Sequence, residues 1–299
     1  MAESLVPTVA SEVHGGSLSH RRVVGDVASH VLLVVLALIW LVPVVWILME
    51  SFNQNTSQVT TTFFPTQYTL SNYTRLFTDV SVMNFTAMFL RTLVIAIFVC
   101  IINVFFVLSV AYVMSRMRFR ARKLLMNIAL VLGMFPGIMA VIAIYFLLKA
   151  IGLTGSTTAT TVALILVYAA GSGMTFYVMK GFMDTIPISL DEAAMLDGCT
   201  RWQIFTKITL PICKPMLVYQ SLTGFLIPWL DFVLAKTICR TQENYTVSLG
   251  LWQMLQKEYI SQWYARFAAG AVCISVPITI LFIIMQRFYQ ASMSGSVKG

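Results

Sequence analysis

Charge is what this sequence has least of. Only 11% of its 299 residues are Asp, Glu, Lys or Arg, whereas a soluble domain carries about 25% to cover a water-facing surface. So small a supply excludes a charged disordered chain and a free cytosolic globule. Histidine is nearly absent too: His14, His20 and His30 are the only three, all near the N-terminus, with no HExxH pair. The five cysteines, Cys100, Cys199, Cys213, Cys239 and Cys273, stand far apart with no CxxC, which excludes the usual metal and redox spacings and reads as small buried apolar side chains. No Gly-Lys dipeptide occurs, so the phosphate-cradling GxxxxGK[ST] loop is missing, as is a GxSxG elbow. Neither a catalytic residue nor a metal site is expected, and any ATP hydrolysis belongs to another polypeptide.

What the chain does have is apolar length. Hydrophobic residues make up 58%, and the mean hydropathy is +0.82. A helix needs about 20 mostly apolar residues to cross a bilayer, and six stretches qualify: 27–49, 92–114, 125–148, 159–179, 215–235 and 267–286. The fold expected is an all-α integral membrane protein, with a polar tail over 1–26 and one membrane domain over 27–299. The first apolar run is too long for a cleaved signal and reads as a retained anchor. The net charge of +8 then sets orientation, because cytoplasmic loops carry the excess of Lys and Arg. With both termini inside, 13 of the 20 basic residues are cytoplasmic, and the densest cluster is Arg116, Arg118, Arg120, Arg122 and Lys123. Phe119 is the one aromatic that interleaves it, so the cluster orients a membrane protein and no nucleic-acid partner is expected.

The longest cytoplasmic loop on this reading, 180–214, contains IPISLDEAAMLDGCTRWQIFTKITLP over 186–211. Ser189 and Glu192 have capping-box spacing, Pro187 resists helix upstream, and Gly198 can take the left-handed position that ends a helix. These bound a two-turn helix over about 190–197. Leu190, Ala193, Ala194 and Asp197 share one face of it, with small side chains that permit close approach of another surface. A second amphipathic stretch presents Trp202, Phe205 and Ile208 before Leu210-Pro211 turns into the next span.

Glu192-Ala193-Ala194, Gly198 after three intervening residues, then Ile208 and Leu210-Pro211 resemble the "EAA" signature of binding-protein-dependent ABC importer permeases. Ala111-Tyr112, Ser115-Arg116-Met117-Arg118-Phe119, Met134-Phe135-Pro136 and the ending Gly295-Ser296-Val297-Lys298-Gly299 are similar to the carbohydrate branch, in particular the G subunit of maltose-type permeases. The resemblance implies a type I importer fold in the bacterial cell membrane. It implies a second permease subunit, two ATPase subunits that bind ATP and Mg, and an extracytoplasmic sugar-binding protein. Glu192, Ala193, Ala194, Asp197, Gly198, Leu210 and Pro211 would then form the coupling segment that seats in the ATPase, and loop 236–266 and the tail 290–299 would meet the binding protein and the ATPases. No cofactor is expected in this chain.

A neutral sugar needs hydrogen bonds and ring stacking, and polar groups within spans face the bundle interior. Gln220, Thr223, Gly224 and Asp231 fall on one face of the fifth stretch, Tyr168, Ser172 and Thr175 on one face of the fourth, and Ser275, Thr279 and Gln286 in the sixth. Helix packing accounts for the small residues as readily as a substrate path does, and Asp231 is placed either to function or to reach the outer interface. The rival class is an ion-coupled secondary transporter working without ATPases. It calls for intramembrane charged relays and inverted repeats, against one carboxylate and no visible repeat.

Overall fold

The computed structural model describes residues 15–55, 63–171 and 175–295, with side chains from Val24's neighbour Gly25 to Phe288. His14, Ser172, Gly173 and residues 296–299 lie outside the described residues. Among those described, every regular element is helical: α1 (Gly15–Ser51), α2 (Ser71–Thr78), α3 (Phe85–Arg116), α4 (Arg122–Gly133), α5 (Gly137–Ala150), α6 (Thr157–Ala170), α7 (Phe176–Thr185), α8 (Ile188–Leu196), α9 (Arg201–Ile204), α10 (Leu210–Ile212), α11 (Lys214–Leu230), α12 (Val233–Ile238), α13 (Val247–Met254) and α14 (Ile260–Gly295). A π-helical turn, Phe205–Thr209, joins α9 to α10. Helix is what a lipid-facing backbone must adopt, since its polar groups find no water there. The apolar side chains of α1 from Val27 to Val45 accordingly point outward, as do Phe105 and Phe106 of α3 and Ile283 of α14.

Within α1, α3 and α14 lie three continuous stretches long and apolar enough to cross a bilayer. The other expected spans are interrupted. The stretch 125–148 is two helices, α4 and α5, bent by 99° at Met134-Phe135-Pro136, because Pro136 removes an amide donor and forces Phe135 out of helical geometry. The stretch 159–179 is carried by α6 and α7 as separate helices. The stretch 215–235 ends early: α11 stops at Leu230, and Asp231 takes an extended conformation. A 77° bend separates α11 from the helical run Arg201–Ile212 before it, next to Cys213 and Pro215. By contrast α3 starts at Phe85, seven residues before its apolar run was expected, capped by the Asn84 side chain on the Ala87 amide.

At the centre stands α3, in contact with α6, α7, α11 and α13, while α1 packs on α14. Gly224 lets α11 approach closely, since a Cβ there would sit 3.3 Å from the Cys100 backbone. Around one half of α3 the buried core contains Phe85, Met88, Ile95, Leu164, Trp229 and Leu249. A second core, with Val107, Ala111, Met114, Met179, Met183 and Cys213, surrounds the other half. Described parts of the segments expected outside the bilayer are held by hydrogen bonds and short helices. Asn72 donates to the Ser51 and Asn53 carbonyls at 3.0 and 2.7 Å, and α12 and α13 order much of 236–266. All five cysteines are free, with Cys213 and Cys239 fully buried and the rest partly so.

Candidate coupling segment and polar path

The EAA segment folds as a short helix with a strong stop. The helix α8 starts at Ile188, not near 190, because Pro187, with its ring-fixed φ of −56° and extended ψ, serves as N-cap. Ser189 is thereby drawn into the first turn, and the Ser189–Glu192 capping box does not form: no side chain caps this end. At the other end Gly198 has φ +80°. Its amide donates to Met195 O at 3.0 Å and the Cys199 amide to Ala194 O at 2.9 Å, the paired bonds of a Schellman stop. The capping box appears one turn later. Thr200 and Gln203 cap each other's backbone at the start of α9.

The inward side of α8 is not the face the pattern singled out. Asp191 and Ala194 turn in, and Ala194 is only 6% exposed. Ile188, Leu190, Glu192, Ala193, Met195, Leu196 and Asp197 face out, with Leu196 90% and Trp202 70% exposed. Ile188, Leu190, Met195 and Leu196 thus form an exposed apolar surface on a nine-residue helix, and such patches mark interaction sites more often than chance. Pro211 is exposed beside them and Leu210 half-buried.

What holds α8 in place is the end of α3. Arg116 Nη2 donates to Ile186 O at 2.9 Å. Its Nε lies 3.3 Å from Asp191 Oδ2, the two side chains being 6% and 8% exposed. Ser115 donates to Asp184 Oδ1 at 2.6 Å, and Lys180 pairs with the other oxygen. Burial raises the Asp184 carboxyl, but the bonds from Lys180 and Ser115 outweigh it and hold the group below the ordinary carboxylate value. Tyr112 stacks edge-on to Phe205, ring centroids 4.7 Å apart. In the sequence Tyr112 and Ser115 are markers of resemblance, Arg116 is one of these and a member of the basic cluster, and Asp191 has no assigned role. The available signal was a lone Asp in the first turn of an otherwise solvent-directed helix.

Of the polar-path residues, the structure brings most into two pairs. Gln220, 2% exposed, donates to the Asn103 side chain of α3 and lies 3.4 Å from Thr175 Oγ1. Tyr168 donates to Asp231 Oδ2 at 2.8 Å, and that oxygen also accepts from the Ala235 amide at 2.9 Å, so Asp231 closes α11 and opens α12. Thr223 bonds its own helix backbone, while Ser275 and Thr279 are exposed on α14. Asn103 was missed because one Asn inside a 32-residue apolar helix shows no periodic signal. At the end of the bundle away from α8, Trp252 and Tyr259 border a cavity of about 480 Å³, where Lys236 Nζ sits 4.8 Å from the Trp252 ring centroid.

Comparison with known proteins agrees with this arrangement. Residues 108–294 match the family described as binding-protein-dependent transport system inner membrane component. The galactooligosaccharides transport system permease protein GanQ of Bacillus subtilis (strain 168) is 36% identical over 281 residues, 93% of this chain and 98% of that protein. The maltodextrin transport system permease protein MdxG of the same organism is 32% identical over 282 residues, covering 94% and 99%. In the crystal structure of a bacterial ABC transporter involved in the import of the acidic polysaccharide alginate, one chain superposes with a TM-score of 0.71 at 22% identity, covering 90% of this chain and 97% of that one. This likeness extends to the fold. The chain belongs to the family of binding-protein-dependent transport system inner membrane components.

Proposed function

We propose that this chain is the non-catalytic permease subunit of an ATP-driven importer that takes a neutral sugar or oligosaccharide from an external binding protein into the cytoplasm. The observation that carries the reading is α8: a capped helix anchored on its inner side and apolar on its outer side, built to be gripped by a separate ATPase. On this reading Glu192, Ala193, Ala194, Asp197 and Gly198 form the gripped surface, and Leu210 and Pro211 carry its displacement into α11. ATP and Mg belong to two partner ATPases, and a second permease subunit completes the path. The relatives named for galactooligosaccharides and maltodextrin support a carbohydrate cargo.

The same reading takes the chain across the membrane six times, both termini inside, with the α4–α5 pair and the α6–α7 pair each serving as one interrupted span. Tyr168, Thr175, Gln220, Thr223 and Asp231 form the polar seam, to which Ser172 is assigned from its place in the sequence alone, and a sugar hydroxyl exchanges there with the Gln220–Asn103 and Tyr168–Asp231 bonds. The decisive experiment reconstitutes the chain with its partner permease, ATPases and binding protein in proteoliposomes. Sugar-loaded binding protein is expected to stimulate ATP hydrolysis and ATP to drive sugar uptake. Uptake that follows an ion gradient and ignores ATP would show an ion-coupled carrier instead.

A further inference from the structure

Both ends of α3 are held by arginines to segments that lie at opposite ends of the bundle. At one end Arg116 bonds Ile186 O and pairs with Asp191 in the first turn of α8. At the other, Arg91 Nη1 donates to Tyr245 O at 2.8 Å, and Thr92 Oγ1 accepts from the Val247 amide at 2.9 Å. The two arginines are separated by about 37 Å of helix at 1.5 Å per residue.

The helix between them has no hinge. Kinks arise chiefly at Pro or Gly, and α3 contains neither. Pro43 lies in α1, Pro228 in α11 and Pro277 in α14, and α4 breaks from α5 altogether. Midway, Gln220 bonds Asn103, and the Cys100 thiol lies 3.4 Å from Ser221 O. The Arg116–Asp191 pair is poorly explained by stability alone. A buried ion pair is often replaceable by apolar side chains without loss, and Asp191 Oδ1 is buried with no hydrogen-bond partner. What the pair fixes is the direction and height of α8 against α3.

We propose that α3 is a rigid strut between the outer segment 242–254 and the coupling helix, with Arg91, Arg116 and Asp191 as its positioning residues. Seating of the binding protein shifts the outer segment, the strut carries that shift to α8, and α8 presents it to the ATPase. Force therefore reaches α8 through α3, and not only through the spans that flank the coupling segment in sequence. This inference rests on the importer reading above.

The test uses the complete reconstituted importer and reads the ratio of ATP hydrolysis with and without sugar-loaded binding protein. Three variants are compared: Arg91→Met, the double variant Arg116→Met with Asp191→Leu, and all three substitutions together. Each of the first two is expected to co-purify with its partners and to lose about tenfold in that ratio, within the usual range of coupling between distant sites. Lesions this far apart add when independent; along one strut the combined variant is expected to be no worse than either parent. Full stimulation in either parent, or additive losses in the combined variant, would overturn the strut. Should the apolar double variant fail to assemble, Arg116→Lys, which keeps the charge and loses the planar fork shared by Ile186 and Asp191, takes its place with the same expectation. A wild-type complex that shows no stimulation would overturn the importer reading itself, and the strut with it.

Discussion

At Gly198 the chain needs a residue that accepts φ +80°. A Cβ built there meets nothing within 4 Å, so the demand comes from the backbone and not from crowding. An L-residue in the left-handed region costs about 1–2 kcal/mol, while Asn tolerates it better. Gly198→Val is therefore expected to leave the chain inserted and assembled but to loosen the end of α8, lowering sugar transported per ATP hydrolysed. Gly198→Asn should retain most of that ratio, and equal transport by Gly198→Val and wild type would count against a role for the stop. Asp184 makes a pH prediction. Its carboxyl is held below the ordinary value of 3.8, so the folded state binds its proton less readily than the unfolded chain. Its contribution is complete above that value and is lost as pH falls through the lower folded value. Thermal unfolding of the purified protein in acid should show Asp184→Asn losing less stability than wild type as pH drops below 3.8. The difference will be small, because Asp184 is 43% exposed and solvent screens it.

Elements were legible where one physical demand dominates. Apolar length alone located α1, α3 and α14, because twenty apolar residues in a row serve little else. It failed for 125–148 because hydropathy runs unbroken through Met134-Phe135-Pro136 while the backbone cannot. The Pro was visible and its consequence was not drawn. In the coupling segment the stop at Gly198 was readable from a single glycine, whereas the start was placed two residues late. Ser189–Glu192 and Thr200–Gln203 carry the same kind of capping pattern, and only the position of Pro187 decides that the second pair forms the box. The inward face of α8 was unreadable for a related reason. Two alanines look alike in sequence, and which one packs depends on where Arg116, some 75 residues earlier in the chain, meets Asp191.

For the whole molecule, charge bias and contacts converge on one sidedness. The basic cluster after α3, the EAA segment and Asp184 meet at one end through Arg116 and Ser115. At the other end Arg266 pairs with Asp79 at 2.7 Å, and Arg240 lies 4.7 Å from the Tyr145 ring centroid, drawing together segments that are far apart in sequence. The Ser115–Asp184 and Arg266–Asp79 contacts each join segments that the proposed topology puts on the same side of the bilayer. The proposed topology puts 13 of the 20 Lys and Arg inside, the side on which basic loops are retained because they resist translocation. In a variant whose five native cysteines are replaced, Ser81→Cys is expected to react with a membrane-impermeant maleimide in intact cells. Ala121→Cys, in the basic segment after α3, should react only after the membrane is opened. Both positions are exposed, so failure to label reports the membrane and not burial. The reverse pattern would invert the topology and place the gripped face of α8 where no ATP-hydrolysing partner can reach it.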